Sequence, residues 1–99
     1  MASHVDDLTI DYMEDGVLVV KELDKAVLTR GAWSTVVFKF QEWDRKKEDY
    51  GPVRFSIRRY RKRNDEYRQQ SKFNISSVDQ ANKLVEILSA WTGKEESSA

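Results

Sequence analysis

Apolar and polar residues alternate through the middle of the chain, with the period of two that is typical of β-strands. Between Trp33 and Trp43 this alternation places Val36, Phe38 and Phe40 on one face, which we expect to line the core. The pattern predicts four strands in all: 17–29 with a turn or bulge near its middle, 33–43, 53–62 and 67–75. We expect these strands to form one antiparallel sheet, the last two joined by a tight hairpin.

The hydrophobic period lengthens to that of a helix after the last strand. Ser77 and Gln80 have the S-x-x-Q spacing of a capping box, in which both side chains bind free backbone N–H groups at a helix start. The apolar residues that follow form one stripe at helical spacing: Val78, Ala81, Leu84, Val85, Leu88 and Trp91. Gly93 would end the helix. The order predicts an α+β fold, a four-stranded antiparallel sheet followed by one C-terminal helix (ββββα).

The chain divides into one domain and two terminal segments. Residues 1–15 are acidic and only sparsely apolar, so we expect a flexible N-terminal arm. Residues 16–93 would form the single ββββα domain, since 99 residues suffice for one core but not for two. Residues 94–99 would be a flexible tail. One helix covers little of a four-stranded sheet, and aromatic residues occur on both faces of the second strand, so we expect a homodimer.

The composition argues against membrane-spanning and secreted proteins. The longest stretch without a charged residue has about eight residues, too few to cross a bilayer. The acidic N-terminus lacks the apolar segment of a secretory signal. Because the chain has no cysteine, disulfides and thiolate metal sites are excluded. We expect a cytoplasmic, nucleoid-associated protein if the source is bacterial and a nuclear protein if it is eukaryotic.

The sequence offers no catalytic constellation. His4 is the only histidine and lies in the predicted flexible arm, so a Ser/His or Cys/His arrangement cannot form in the core. No phosphate-binding glycine motif is present, and the acids form no spaced carboxylate pair on a predicted strand. We therefore expect a protein that is not an enzyme and that uses no metal and no organic cofactor.

The net charge of zero conceals a strong separation of charge along the chain. Residues 53–72 contain eight Lys or Arg against two acids, whereas residues 1–24 contain seven acids against one lysine. Like charges on one element repel, so a fold carries such a stretch most readily when an anion neutralises it. The acidic arm would either act as a solubilising tail or lie across the basic face and compete with its ligand.

We expect most of the basic residues to share the sheet face that points away from the core. Val53, Phe55 and Ile57 would continue the core-facing set in the third strand. The opposite face would then combine cations with two aromatic rings: Lys39, Trp43, Arg54, Arg58, Tyr60, Lys62, Arg68 and Lys72. Cations bind phosphates, and aromatic rings stack on unpaired bases. This pattern favours a nucleic-acid-binding face, although a solvated sheet face or a surface for an acidic protein partner would have the same composition.

Three features stand in order within the stretch from about Ala32 to Leu88: Val53–Tyr60, Lys72, and Ser77–Gln80 at the helix start. On these features the stretch resembles the positive cofactor four family of transcriptional coactivators and its bacterial relatives. The resemblance implies a curved sheet with one helix, a homodimer, and binding of single-stranded DNA on the sheet in transcription regulation, with transcription-machinery proteins as further partners. The purine-rich-element binding proteins have the same ββββα order and also bind single strands.

The resemblance assigns roles to particular residues. It implies that Arg58 contacts DNA from the third strand and that Lys72 does so before the helix. Arg61 stands where well-studied members of the family carry a stacking tryptophan, so stacking would come from Arg61, Tyr60 or Trp43. Taken together, the residues and the resemblance predict a non-catalytic single-stranded DNA-binding protein. RNA as the ligand, or an acidic protein partner docked on the sheet, are the alternatives.

Overall fold

The computed structural model describes residues 3–93, which form an α+β fold with a curled antiparallel sheet and one C-terminal helix. The elements are β1 (Tyr12–Glu14), β2 (Val17–Thr29), β3 (Trp33–Asp44), β4 (Asp49–Tyr50), β5 (Arg54–Arg63), β6 (Glu66–Ile75) and α1 (Val78–Thr92). The α+β class and the C-terminal helix are as predicted. The four predicted strands correspond to β2, β3, β5 and β6, and the short strands β1 and β4 bring the sheet to six.

The sheet follows the chain closely, in the order β1-β2-β3-β5-β6, and β4 pairs with the end of β3. Each pairing is antiparallel. The β5–β6 hairpin turns at Asn64 and Asp65, whose φ angles of 52° and 61° are those of a two-residue turn that matches the twist of the strands. This hairpin forms one side of the sheet, with β6 at its edge.

The core lies on one face of the sheet, here named the inner face and defined by Val36, Phe38 and Phe40 of β3. Val36 and Phe38 have no exposed surface. The other face is named the outer face and carries Val37, which lies opposite Ile57 of β5. On the inner face, half-buried residues of β2 and β6 complete the cluster: Val20, Val27 and Tyr67.

The N-terminal segment is part of this core, although the sequence predicted an arm outside the domain. Val5, Leu8 and Ile10 are each at most 7% exposed and cover the inner face of β2 and β3. The Nζ of Lys25 donates hydrogen bonds to two carbonyl oxygens of the segment, at 2.5 and 2.6 Å. We name residues 4–11 the N-terminal strap. Its apolar residues follow neither a strand period nor a helix period. The sequence therefore indicated only an acidic segment and gave no sign that these residues are buried. The predicted tail, 94–99, lies outside the described residues.

The pairing of β3 with β5 differs from the predicted faces. Phe38 lies opposite Ser56, and Lys39 lies opposite Phe55. Because opposed residues share a face, Phe55 and Ile57 lie on the outer face and not in the core with Phe38. A shift of one residue between strands exchanges the two faces completely, and the alternation within each strand does not determine that shift.

A bulge divides the residues of β6 between the two faces. The pairing shifts between Arg59 and Tyr60, which lie opposite Ser71 and Gln69, so that Gln70 has no partner in the register. As a result, Arg68 lies on the outer face while Lys72 lies on the inner face.

The helix begins and ends as predicted, but it packs loosely. The hydroxyl oxygen of Ser77 accepts a hydrogen bond from the backbone N–H of Gln80 at 3.1 Å, and Gly93 closes the helix with a φ of 60°. No residue of α1 is buried, and Trp91 is 80% exposed. The helix contacts β6, where Leu84 and Ile87 are half-buried beside Phe73. Within residues 3–93 no helix is long and apolar enough to cross a membrane.

Candidate nucleic-acid interface

Arg58 is held in place by neutral side chains on the inner face of the β5–β6 hairpin. Its Nε donates to the hydroxyl of Ser56 at 3.0 Å, and its Nη1 donates to Oε1 of Gln69 at 3.1 Å. The Ser56 hydroxyl donates in turn to Oδ1 of Asn74 at 2.7 Å. This chain of hydrogen bonds fixes the guanidinium of a half-buried arginine without neutralising its charge.

Two lysines extend the positive charge along the same face. Lys72 lies directly opposite Arg58 in the register and is exposed. The ammonium of Lys62 lies 5.6 Å from the ring centroid of Tyr67, close enough for a cation–π interaction. The Tyr67 hydroxyl donates to the carbonyl of Gly31 at 2.8 Å, which holds the ring in place. We name Arg58, Lys62 and Lys72 the inner basic row. The sequence predicted correctly that these three residues share a face, but it placed that face away from the core. The pairing of Arg58 with Val36 puts them on the core side of the sheet instead.

Tyr60 lies on the same face but cannot stack on a base, because only 5% of its surface is exposed. Burial raises the pKa of its phenol, and the charge and hydrogen bonding of Arg58 act in the opposite direction. The predicted stacking role of Tyr60 is therefore wrong. The ring instead packs against the core beneath the inner basic row.

Arg54 is also on the inner face, but a carboxylate neutralises it. Its Nη1 lies 2.9 Å from Oε1 of Glu42, which is next to it across the β3–β5 pairing. The two residues border a cleft of about 470 Å³ at the end of the sheet. Two acids and three bases line that cleft together: Glu42, Asp44, Arg45, Lys46 and Arg54.

Lys39 and Trp43 belong to the outer face and are separated from the inner basic row. Lys39 lies opposite Phe55, as the register requires. Trp43 packs edge-to-face on Tyr50 of β4, with ring centroids 5.1 Å apart. The ammonium of Lys21 lies 4.8 Å from the centroid of the Tyr50 ring. The two rings and this lysine form a local cluster at the C-terminal end of β3. The prediction that Trp43 shares a surface with Arg58 is wrong because of the register.

Arg61 and Arg68 lie opposite each other on the outer face. Arg68 pairs with Glu66 at 3.1 Å. Arg61 packs instead on Trp33, with its guanidinium carbon 5.1 Å from the ring centroid, and Arg59 approaches the same ring to 4.4 Å. Trp33 and Arg59 were absent from the residues predicted to bind nucleic acid. A correct register would have placed both beside Arg61.

One acid of the N-terminal strap and one acid of β1 pair with arginines that lie outside the inner basic row. Asp6 pairs with Arg30 at 3.1 Å, and this partner lowers the pKa of the carboxyl group through its hydrogen bond and its charge. Glu14 of β1 pairs with Arg45 at 2.8 Å. These ion pairs hold the acidic segment beside β2 and the β3–β4 loop.

The described residues thus present cations on both faces of one hairpin, with most acids elsewhere. Gln69 and Asn74, which sequence reasoning missed, add exposed amide groups beside the inner basic row. Comparison of the chain with protein-family models, with curated proteins and with solved structures finds no match.

Proposed function

We propose that this protein is a non-catalytic nucleic-acid-binding protein that holds single-stranded DNA on the inner basic row. The observation that carries the proposal is the environment of Arg58. Its guanidinium is half-buried and fixed by Ser56 and Gln69, and among residues 3–93 it has no carboxylate partner. A partly desolvated cation without a counter-ion is costly, and a phosphate would both neutralise it and accept its remaining N–H groups.

A single strand suits this surface better than a duplex. The row is narrow and lies on a sheet, where a flexible backbone can follow the cations while its bases reach neighbouring side chains. Gln69 and Asn74 are exposed amides beside Arg58, and amides can donate to and accept from the edges of unpaired bases. Tyr67, which Lys62 covers, provides a half-buried ring at one end of the row.

The protein would act as a homodimer, with a second copy covering the apolar part of the outer face and the exposed side of α1. Phe73 is 63% exposed on that face, and Val85, Leu88 and Trp91 of α1 are 49–80% exposed. This apolar area is continuous from the sheet to the helix through the half-buried Leu84. Contiguous exposed apolar patches often mark interaction sites, and a two-fold interface would bury the same patch on both subunits.

The resemblance to the positive cofactor four family supports a role in transcription regulation. It is carried by Val53–Tyr60, Lys72 and the capped helix start, and the first two contribute to the inner basic row. On this proposal, the protein would bind unpaired DNA and contact transcription-machinery proteins. RNA binding is the second candidate, because nothing in the row distinguishes a deoxyribose from a ribose.

Salt titration of oligonucleotide binding tests the proposal. Arg58→Gln removes the charge but keeps a hydrogen-bonding side chain. We expect affinity for a single-stranded oligonucleotide to fall about tenfold or more, as loss of a charge-assisted hydrogen bond does. We also expect the slope of log affinity against log salt to become shallower by about 0.7, the value for one phosphate contact with a single strand. Fluorescence anisotropy with a labelled oligonucleotide measures both.

Arg45→Gln is the matched control, since it removes the same charge from an exposed arginine that already pairs with Glu14. Its effect should be small. Equal affinity of the wild type and Arg58→Gln would rule out the inner basic row as the site. Binding that does not depend on oligonucleotide length or salt would instead favour an acidic protein partner. Competition between DNA and RNA oligonucleotides of one sequence separates the two nucleic-acid candidates.

A further inference from the structure

The arginines without a carboxylate partner are concentrated in one strand. Four arginines pair with acids at 2.8–3.1 Å: Arg30, Arg45, Arg54 and Arg68. The other four have no ion pair within residues 3–93, and all lie in β5: Arg58, Arg59, Arg61 and Arg63. Since side chains alternate along a strand, β5 presents uncompensated positive charge on both faces of the sheet.

On the outer face this charge is organised around one indole. Trp33 lies directly opposite Arg61 in the β3–β5 register, and Arg59 is the diagonal neighbour. The two guanidinium carbons lie 5.1 and 4.4 Å from the ring centroid. Both arginines are exposed, and Trp33 keeps 40% of its surface exposed. We name these three residues the indole–arginine stack.

Stacking on the indole of Trp33 positions these arginines to bind an anion. A guanidinium lying over a ring retains in-plane N–H groups that can donate to a phosphate, because the cation–π contact uses the flat side of the group. Two like charges over one ring also repel each other, and an anion placed between them would relieve that repulsion. The residues described at the stack supply no such anion.

The two basic surfaces are adjacent across the free edge of the sheet. The Arg58–Lys72 rung of the inner face is followed directly by the Arg59–Ser71 rung, whose side chains lie on the outer face. Strand β6 is the edge strand, and its residues at this point are exposed and uncharged: Gln69, Gln70 and Ser71. A DNA strand that crosses this edge from Lys72 to Arg59 therefore passes uncharged side chains and meets no repulsion from a carboxylate there.

From these observations we infer that the indole–arginine stack is a second phosphate-binding subsite, and that a single strand bends over the β6 edge to occupy both faces of the hairpin. This inference rests on the proposed function, because the strand must first bind the inner basic row. The apolar part of the outer face lies farther along the hairpin, at Ile57 and Phe73, so a second copy placed there leaves the stack at the rim.

The test compares oligonucleotides of increasing length on the wild type and on the double variant Arg59→Gln/Arg61→Gln. For long strands we expect the double variant to have a smaller site size and a salt slope shallower by about 1.4, the value for two single-strand phosphate contacts. For strands that fill only the inner basic row we expect unchanged affinity. The control, Arg30→Gln/Arg45→Gln, removes two ion-paired arginines and should leave the long-strand slope as it is.

The outcomes separate this inference from the proposed function. If the wild type and Arg58→Gln differ as expected but the double variant binds long strands with wild-type slope and site size, the second subsite is wrong and the first stands. If the wild type binds no oligonucleotide of any length, both are wrong. The variant Arg59→Lys/Arg61→Lys keeps the charges but loses planar stacking, so it should retain most of the salt slope while binding long strands more weakly. Thermal unfolding of each variant tests whether the fold is retained.

Discussion

Tyr60 lies in the core directly beneath the inner basic row, next in the alternation to Arg58. Burial of the phenol disfavours its ionised form and raises its pKa above the ordinary value of 10.0, while the positive charge of Arg58 partly offsets the increase. The same residue therefore supports the site in two ways. Its ring fills space below the row, and its neutral hydroxyl leaves the charge of Arg58 uncompensated.

The first prediction concerns alkaline stability. The unfolded chain releases the Tyr60 proton near pH 10.0, whereas the folded chain retains it to higher pH. The stabilisation from keeping this phenol neutral is complete below pH 10.0 and is lost as the pH rises through the raised pKa, because the unfolded state then binds fewer protons. Urea unfolding at a series of pH values should show a shallower alkaline loss in Tyr60→Phe than in the wild type. Identical alkaline slopes would contradict the burial of this hydroxyl.

At the scale of the element, the N-terminal strap is the part of the fold whose removal has the clearest consequence. It has one short 3₁₀ turn, Val5–Asp7, and no long strand, yet it covers the inner face of β2 and β3. Leu8 and Ile10 are 6–7% exposed, and the backbone around Leu8 is fixed by Lys25. The strap completes the core and directs Asp6 toward Arg30, away from the β5–β6 hairpin.

The second prediction follows from this packing. Leu8→Ala should lower the free energy of unfolding by about 2–5 kcal/mol, since it removes buried methyl groups and leaves a cavity. The control Leu28→Ala changes a leucine that is 67% exposed and should alter stability by no more than about 0.5 kcal/mol. Chemical denaturation measures both. A strap that behaves as a solubilising tail would give the two variants equal stability.

At the scale of the whole molecule, the fold is a single sheet with one helix, α1, packed against the edge strand β6. The principal extents are 49 × 38 × 17 Å, and the radius of gyration is 15.7 Å. A compact domain of 100 residues has a radius of about 13 Å, so this chain is more extended than its length requires. The outer face and α1 carry exposed apolar side chains, among them Phe73, Val85, Leu88 and Trp91. Among the described residues, Trp91 is the most exposed large hydrophobic side chain, at 80%.

The third prediction tests whether a second copy covers this surface. Leu88→Asp places a charge on the apolar side of α1, where no residue is buried and the leucine is 49% exposed. At the same concentration, we expect the wild type to sediment as a dimer and this variant as a monomer. Ala90→Asp is the control, since it adds the same charge on the opposite side of the helix. Sedimentation velocity over a concentration series gives the measurement, and a monomeric wild type would exclude the homodimer.

Much of the architecture followed from local patterns. The alternation at Val36, Phe38 and Phe40 predicted the core side of β3 correctly, because a long strand with one buried face has an unmistakable period. The capping pair Ser77 and Gln80 predicted the start of α1 to within a residue. Short strands could not be predicted in this way. Strand β4 has two residues, and two residues are too few to show an alternation of apolar and polar positions.

The sequence by itself determined the long elements of this protein, the side on which β3 is buried, and the concentration of positive charge in β5. Only the tertiary structure decided which residues of β5 and β6 lie on the inner face with the core residues of β3. The pairing of Phe38 with Ser56 and the bulge at Gln70 set the register, and with it separated Trp43 and Arg68 from Arg58 and brought Arg61 to Trp33. The physical reason is that periodicity acts within one strand, whereas register depends on loops, bulges and packing between strands.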